Sequence, residues 1–189
     1  MVNAVANRWQ VRHAANRLLD GAVLAYPTEA VWGLGCDPEN EVATLRLLEI
    51  KERPVHKGLI LVAGAVEQVE FLLGALTPAQ RKKILATWPG PTTWLIPDED
   101  DLVPWWVKGE HSSVAIRVTA HPLAAALSLA FGGPIVSTSA NKAGQSPART
   151  ALKVIKQIGH EIDGLVYGRL GSERSPSRIV DLLSDTILR

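Results

Sequence analysis

The chain has 189 residues, 47% of them apolar and 21% charged, with a formal net charge of +1. That length and balance predict one globular domain and exclude a disordered chain. The near-neutral total excludes a bulk phosphate-binding coat, though it leaves room for a local basic cleft. A lone cysteine, Cys36, excludes an internal disulfide and a cysteine zinc cluster. No apolar run of about 18 residues exists to cross a membrane. The opening MVNAVANRWQVRHAANRLL scatters charges where a secretory leader would be apolar, so a cytoplasmic protein is expected.

Residues 5–20 have helical spacing, with Val5, Trp9, Ala15, Leu18 and Leu19 roughly on one face and Gly21 as the stop. AVLAY (22–26), closed by Pro27, reads as a buried strand, and PTEAVWGLGCDP reads as a glycine-containing loop. Residues 40–52 return to helical spacing through Val42, Leu45, Leu47 and Leu48, and GLILVA (58–63) is a central strand. TPAQRKKILATW (77–88) opens with a capping box, Thr77 and Gln80, and with Pro78 in the first turn. TTWLIP (92–97), SVAIRV (113–118) and PIVSTS (134–139) are strands, and HPLAAALSLAFGG (121–133) is a helix. A helix near 149–158 and short strands near 164–167, 178–182 and 186–189 finish the chain. Alternating helices and apolar strands predict an α/β fold: a twisted, mixed sheet with helices on both faces.

Four polar clusters fall where elements give way to loops, which is where α/β sheets bind ligands. In YPTEAVWGLGC (26–36), Thr28 and Glu29 leave a buried strand ahead of Gly33 and Gly35. The glycines suit either turns or close backbone approach to a ligand. The stretch is neither G-x-G-x-x-G nor a P-loop. In KERPVHKGLI (51–60), Lys51, Arg53 and Lys57 crowd a helix end and a strand start. A cation at a helix C-terminus is worth roughly 0.3–1 kcal/mol by itself. Three cations together suit a polyphosphate better. Arg117 alternates with Val114, Ile116 and Val118, so it shares the other strand face with Ser113 and Ala115. It is either solvated or set to bind a substrate carboxylate. In PIVSTSANKAG (134–144), Ser137 and Ser139 share one side, Thr138 takes the other, and Asn141 and Gly144 make the turn.

The remaining polar residues read as structural. The five histidines have no metal-ligand spacing, and Cys36 reads as a small core residue. PDEDD (97–101) reads as a solvated acidic loop, with a Mg²⁺ role as the alternative.

YPTEAVWGLGCDP, KERPVHKGLI, WPGPTTW, VAIRVTAHP, STSANKAG and PSRIVDL…ILR occur in the order found in the YrdC-like family, which the chain resembles from about residue 20 onward. Its size resembles the short bacterial form. The resemblance implies one domain over 1–189, a concave electropositive cavity, and L-threonylcarbamoyladenylate synthase activity. Such enzymes use L-threonine, bicarbonate or CO₂, and ATP with Mg²⁺. Partner proteins then transfer the threonylcarbamoyl group to A37 of tRNAs that read ANN codons.

By the same resemblance Lys51, Arg53, Ser139 and Asn141 form the catalytic set. Lys51, Arg53, Ser113, Ser139, Asn141 and Arg189 face ATP, with Lys57 as a neighbour. Thr28, Arg117 and Ser177 face L-threonine. Arg178 stands where relatives often have Thr, and Arg189 is a terminal residue, whose order the sequence leaves open. Two alternatives are a double-stranded RNA or tRNA-binding module and a YciO-like paralogue with another substrate. A salt-dependent RNA shift without threonine-dependent ATP turnover would favour the first; turnover with another amino acid, the second.

Overall fold

The computed structural model describes residues 7–189. Val5 and the start of the first expected helix lie outside them. Eight strands form one mixed sheet: β1 (Leu24–Pro27), β2 (Trp32–Gly35), β3 (Ile60–Ala63), β4 (Thr92–Pro97), β5 (Ser113–Val118), β6 (Ile135–Ser139), β7 (Gly164–Leu165) and β8 (Arg178–Asp181). Their spatial order is β7-β1-β2-β6-β3-β5-β4-β8. The pairs β1–β7, β3–β5 and β4–β8 are parallel and the others antiparallel.

Seven α-helices accompany the sheet: α1 (Arg8–Leu19), α2 (Glu41–Ile50), α3 (Glu70–Leu73), α4 (Pro78–Leu85), α5 (Trp105–Lys108), α6 (Pro122–Phe131) and α7 (Ala151–Ile158). The capping box of α4 forms: Gln80 N donates to Thr77 Oγ1 (3.3 Å) and Thr77 N to Gln80 Oε1 (2.9 Å). Gly132 ends α6 at φ 96°, a conformation that favours glycine. No helix among the described residues is long and apolar enough to cross a membrane.

Two sequence expectations need correction, and one needs sharpening. The 27–38 segment is not all loop. It contains β2, which forms a hairpin with β1 (Pro27 opposite Trp32), so Thr28–Val31 is the hairpin tip. Gly33 and Gly35 therefore sit in a strand, beneath the Tyr26 ring. A Cβ on Gly35 would lie 2.2 Å from Val136 O and 3.0 Å from the ring, so the glycine lets the β6 backbone and then the Tyr26 ring come close. The expected strand at 186–189 is only a bridge, Val180 to Ile187. The helices α3 and α5, too short for a clear period, went unread.

The point that needs sharpening locates the site. Helices do lie on both faces of the sheet, but on one face they leave part of it bare. One face carries the main core, including Leu34, Leu61, Ile116 and Val136. The other is covered at one end by α1 and α6, whose Leu18, Leu123 and Leu127 pack on Tyr26 and Ile135. Beyond Ile135 the same face of β6 presents Ser137, and β5 presents Ser113, Ala115 and Arg117. There the sheet floor is open to a cavity.

Candidate active site

The cavity holds about 620 Å³. Its floor is the uncovered part of the sheet: Ile60 and Val62 of β3, Ala115 and Arg117 of β5, and Ser137–Ser139 of β6. Its walls come from the β1–β2 tip, the turn after α2, the loop after β6 and the segment before β8. All ten residues assigned from the sequence line it: Thr28, Lys51, Arg53, Lys57, Ser113, Arg117, Ser139, Asn141, Ser177 and Arg189.

At one end, Lys51 caps α2 and reaches across to the loop after β6. Its Nζ donates to Ser139 O (2.5 Å) and Asn141 O (2.8 Å), and Ala143 N donates back to Lys51 O (2.8 Å). Burial, and then the charge of Arg53, pulls the Lys51 ammonium down to about 8. Arg53 donates through Nε and Nη2 to Gly58 O (3.2 and 2.9 Å) and through Nη2 to Lys57 O (3.1 Å). Burial lowers its pKa as well. Both cations are thus held by neutral carbonyls, with no carboxylate to offset their charge. Asn141 uses its NH₂ on Lys142 O (2.9 Å) and Gln145 O (2.8 Å), which leaves Oδ1 buried and unpartnered.

The other end is built differently. Arg117 is buried and paired with Glu29: Nη1 lies 2.6 Å from Oε1. The same oxygen accepts from Thr119 Oγ1 (2.5 Å) and Ala120 N (3.2 Å). Burial pushes the Glu29 carboxyl up, but the Arg117 charge and the hydrogen bonds from Arg117 and Thr119 outweigh it, so its pKa is lowered overall. Thr28 donates its hydroxyl to Val31 O within the hairpin tip (2.8 Å), so toward a ligand it is an acceptor. His121 caps α6: Nδ1 accepts from Ala124 N (3.3 Å), so Nε2 carries the proton toward Arg169 O (3.0 Å). Burial lowers its pKa, and it stays neutral.

The chain end closes the third side. Ser177 Oγ contacts Thr93 Oγ1 (2.9 Å), and Arg189 Nε donates to Ser177 O (3.1 Å). Arg189 does not fray: Leu188 N donates to Ile179 O (2.8 Å) and Ile179 N to Arg189 O (3.0 Å). Its pKa is lowered by burial, then by the charges of Arg117 and Arg53, so the three guanidiniums share one field.

Other expectations resolve into structure. Asp98 of the acidic loop is not solvated. It accepts from Leu102 N (2.8 Å) and Val103 N (3.1 Å) and pairs with Lys108 Nζ (3.1 Å). Among the described residues no three His, Cys, Asp or Glu side chains cluster to hold a metal. Burial pushes the Cys36 thiol up to about 12, which suits a core residue. Ser137 and Thr138 both line the cavity. The sequence reading named Glu29 without giving it a role. The available signal was a carboxylate leaving one buried strand and an arginine inside another, each of which needs a partner.

A family model described as Sua5_yciO_yrdC, telomere recombination, matches residues 16–189. A threonylcarbamoyl-AMP synthase of Marinobacter nauticus is 53% identical over 175 residues, 93% of this chain and 92% of that protein. One of Cellvibrio japonicus is 49% identical over 180 residues, 95% of each. Among solved structures, P. abyssi Sua5 complexed with L-threonine superposes with a TM-score of 0.90 at 31% identity. The match covers 97% of this chain and 54% of that one, so this chain spans about half of it. E. coli YciO has a TM-score of 0.83 at 23% identity, covering 97% of this chain and 89% of that one, a likeness of fold alone. With a matching family model over most of its length and relatives at about half identity, the chain belongs to the Sua5/YciO/YrdC family.

Proposed function

We infer that the chain is a threonylcarbamoyl-AMP synthase, a nucleotidyltransferase that uses ATP. One observation carries this: identity of 49% to 53%, over more than nine tenths of both chains, to synthases of that name. The cavity supports it, because its two ends differ as the substrates do. A triphosphate suits the Lys51 and Arg53 end. An amino acid with one carboxylate suits Arg117, whose charge Glu29 partly offsets. Thr28 lines the cavity next to Glu29, and Ser177 lines it beside Arg189; on this reading both face the amino acid, and a Sua5 relative has been solved with L-threonine.

In the reaction, the amine of L-threonine adds to CO₂ and loses a proton, giving a carbamate. A carbamate oxygen attacks the α-phosphorus of ATP, and pyrophosphate leaves with the bonding electrons. No enzyme nucleophile is needed. The protein positions the reactants, excludes water and neutralises charge. Lys51, Arg53 and Arg189 hold the phosphates, with Lys57 at the rim. The Ser113 and Ser139 hydroxyls donate to nucleoside or phosphate oxygens, and the free Asn141 Oδ1 accepts from an N–H or O–H of the nucleoside. Mg²⁺ would enter with ATP and would offset charge on the leaving pyrophosphate. The product then passes, on this reading, to threonylcarbamoyl-transfer proteins that modify tRNA.

The test is mass spectrometry of the product formed from L-threonine, bicarbonate and ATP. Threonylcarbamoyl-AMP with matching pyrophosphate is expected. ATP turnover that ignores threonine would overturn the reading.

A further inference from the structure

Two buried side chains at the amino-acid end keep polar atoms that their neighbours leave unmatched. Glu29 Oε1 accepts from Thr119 Oγ1 (2.5 Å) and Ala120 N (3.2 Å) and forms an ion pair with Arg117 Nη1 (2.6 Å). Glu29 Oε2 and Arg117 Nε are buried without a partner. The position of the contact on the guanidinium matters. Nη1 lies cis to Cδ, so engaging it leaves the opposite edge, Nε with Nη2, as two parallel donors. That edge is the fork that fits a carboxylate.

Glu29 itself is clamped. Glu173 N donates to Glu29 O (3.1 Å) and Gly171 N to Thr28 O (3.0 Å). A Cβ on Gly171 would come within 2.8 Å of Glu29 Cα, so this strap lies directly on the hairpin tip. On the floor, Arg117 sits opposite Val62 in the parallel β3–β5 register. An arginine anchored on a strand and gripped at one nitrogen by a clamped carboxylate has little rotational freedom left.

We propose that Glu29 is a positioning residue: by holding Arg117 Nη1 it sets the Nε–Nη2 edge to receive the carboxylate of the amino-acid substrate. Glu29 acts through Arg117 and does not touch the reacting atoms. The proposal rests on the synthase reading, because that reading supplies the carboxylate. The opposite role is also chemically coherent. A Glu29 that merely competed for Arg117 would weaken substrate binding, and its removal would strengthen it.

Calorimetric titration of the full chain with L-threonine and with L-threoninamide, which lacks the carboxylate, separates these roles. The wild type is expected to prefer L-threonine by about a hundredfold. In Glu29→Gln the preference falls to about tenfold or less through loss of L-threonine affinity alone, with ATP affinity unchanged. An unchanged preference, an equal loss for both ligands, or tighter L-threonine binding overturns the proposal. If Glu29→Gln does not fold, Thr119→Val decides. It removes one donor from Oε1, and a loss of a few-fold confined to L-threonine is expected. An undiminished preference there overturns the proposal too. A wild type that binds neither ligand and forms no threonylcarbamoyl-AMP brings down the functional reading, and the proposal with it.

Discussion

The two ends of the cavity hold their cations by different means. At the end we propose for the nucleotide, Lys51 and Arg53 lean on main-chain carbonyls of Ser139, Asn141, Lys57 and Gly58. Carbonyl dipoles fix a cation in place without cancelling its charge. At the amino-acid end, Arg117 leans on a carboxylate, which cancels much of that charge and fixes its orientation instead. One end is built for charge and the other for geometry. That is the division a polyanion and a single carboxylate require.

The largest test removes the charge end. Lys51→Ala or Arg53→Ala is expected to lower the rate of pyrophosphate release by about a thousandfold. Wild-type-like rates in both would break the assignment. Lys51→Ala has a structural effect that the sequence did not foretell. It unties α2 from the loop after β6 and leaves carbonyls without their donor, at about 1–3 kcal/mol, read by chemical denaturation.

Next in size, Arg117→Lys keeps the charge of the geometry end and loses the fork. The KM for L-threonine is expected to rise by about ten- to a hundredfold, while the KM for ATP stays. Parallel rises in both would mean that the two ends are not separate.

A pH series then probes the charge end in the intact protein. Lys51 titrates at about 8, below its ordinary 10.5. ATP needs the protonated form, so its affinity is fully present below pH 8. Above that it falls by about tenfold per unit as the free protein loses the proton. Stability runs the other way. Between pH 8 and 10.5 the unfolded chain binds the extra proton, so the cost of burying the charged amine is relieved as pH rises. ATP titrations from pH 7 to 9.5 check this, with Lys51→Met expected to be flat. The smallest change is a control: Thr77→Ala breaks the capping box of α4, costs about 1 kcal/mol in thermal unfolding and leaves turnover unchanged.

Much of this architecture is legible in the sequence because it is local. Strands β3 to β6 show as short apolar runs, α4 announces its own start through Thr77, Pro78 and Gln80, and the alternation in β5 already sets Arg117 apart from Val114, Ile116 and Val118. The family resemblance names the cavity residues in advance because their motifs recur in order. What stays hidden is local pattern overruled by packing. The glycines at 33 and 35 look like turn residues, yet they lie in a strand, where Thr28, Val136 O and the Tyr26 ring crowd the space a side chain would fill. Asp98 looks like surface charge, yet its carboxylate is buried by two backbone amides and Lys108.

By itself the sequence determined which residue types could meet ATP and an amino acid, since side-chain chemistry and motif order are properties of the chain. Only the tertiary structure decided that helices α1 and α6 cover one end of a sheet face and leave the other bare. Only it decided that Lys51 is held by carbonyls while Arg117 is held by Glu29. Those partners lie 88 to 90 residues apart in the chain, and burial makes each cation take whatever partner the fold brings near.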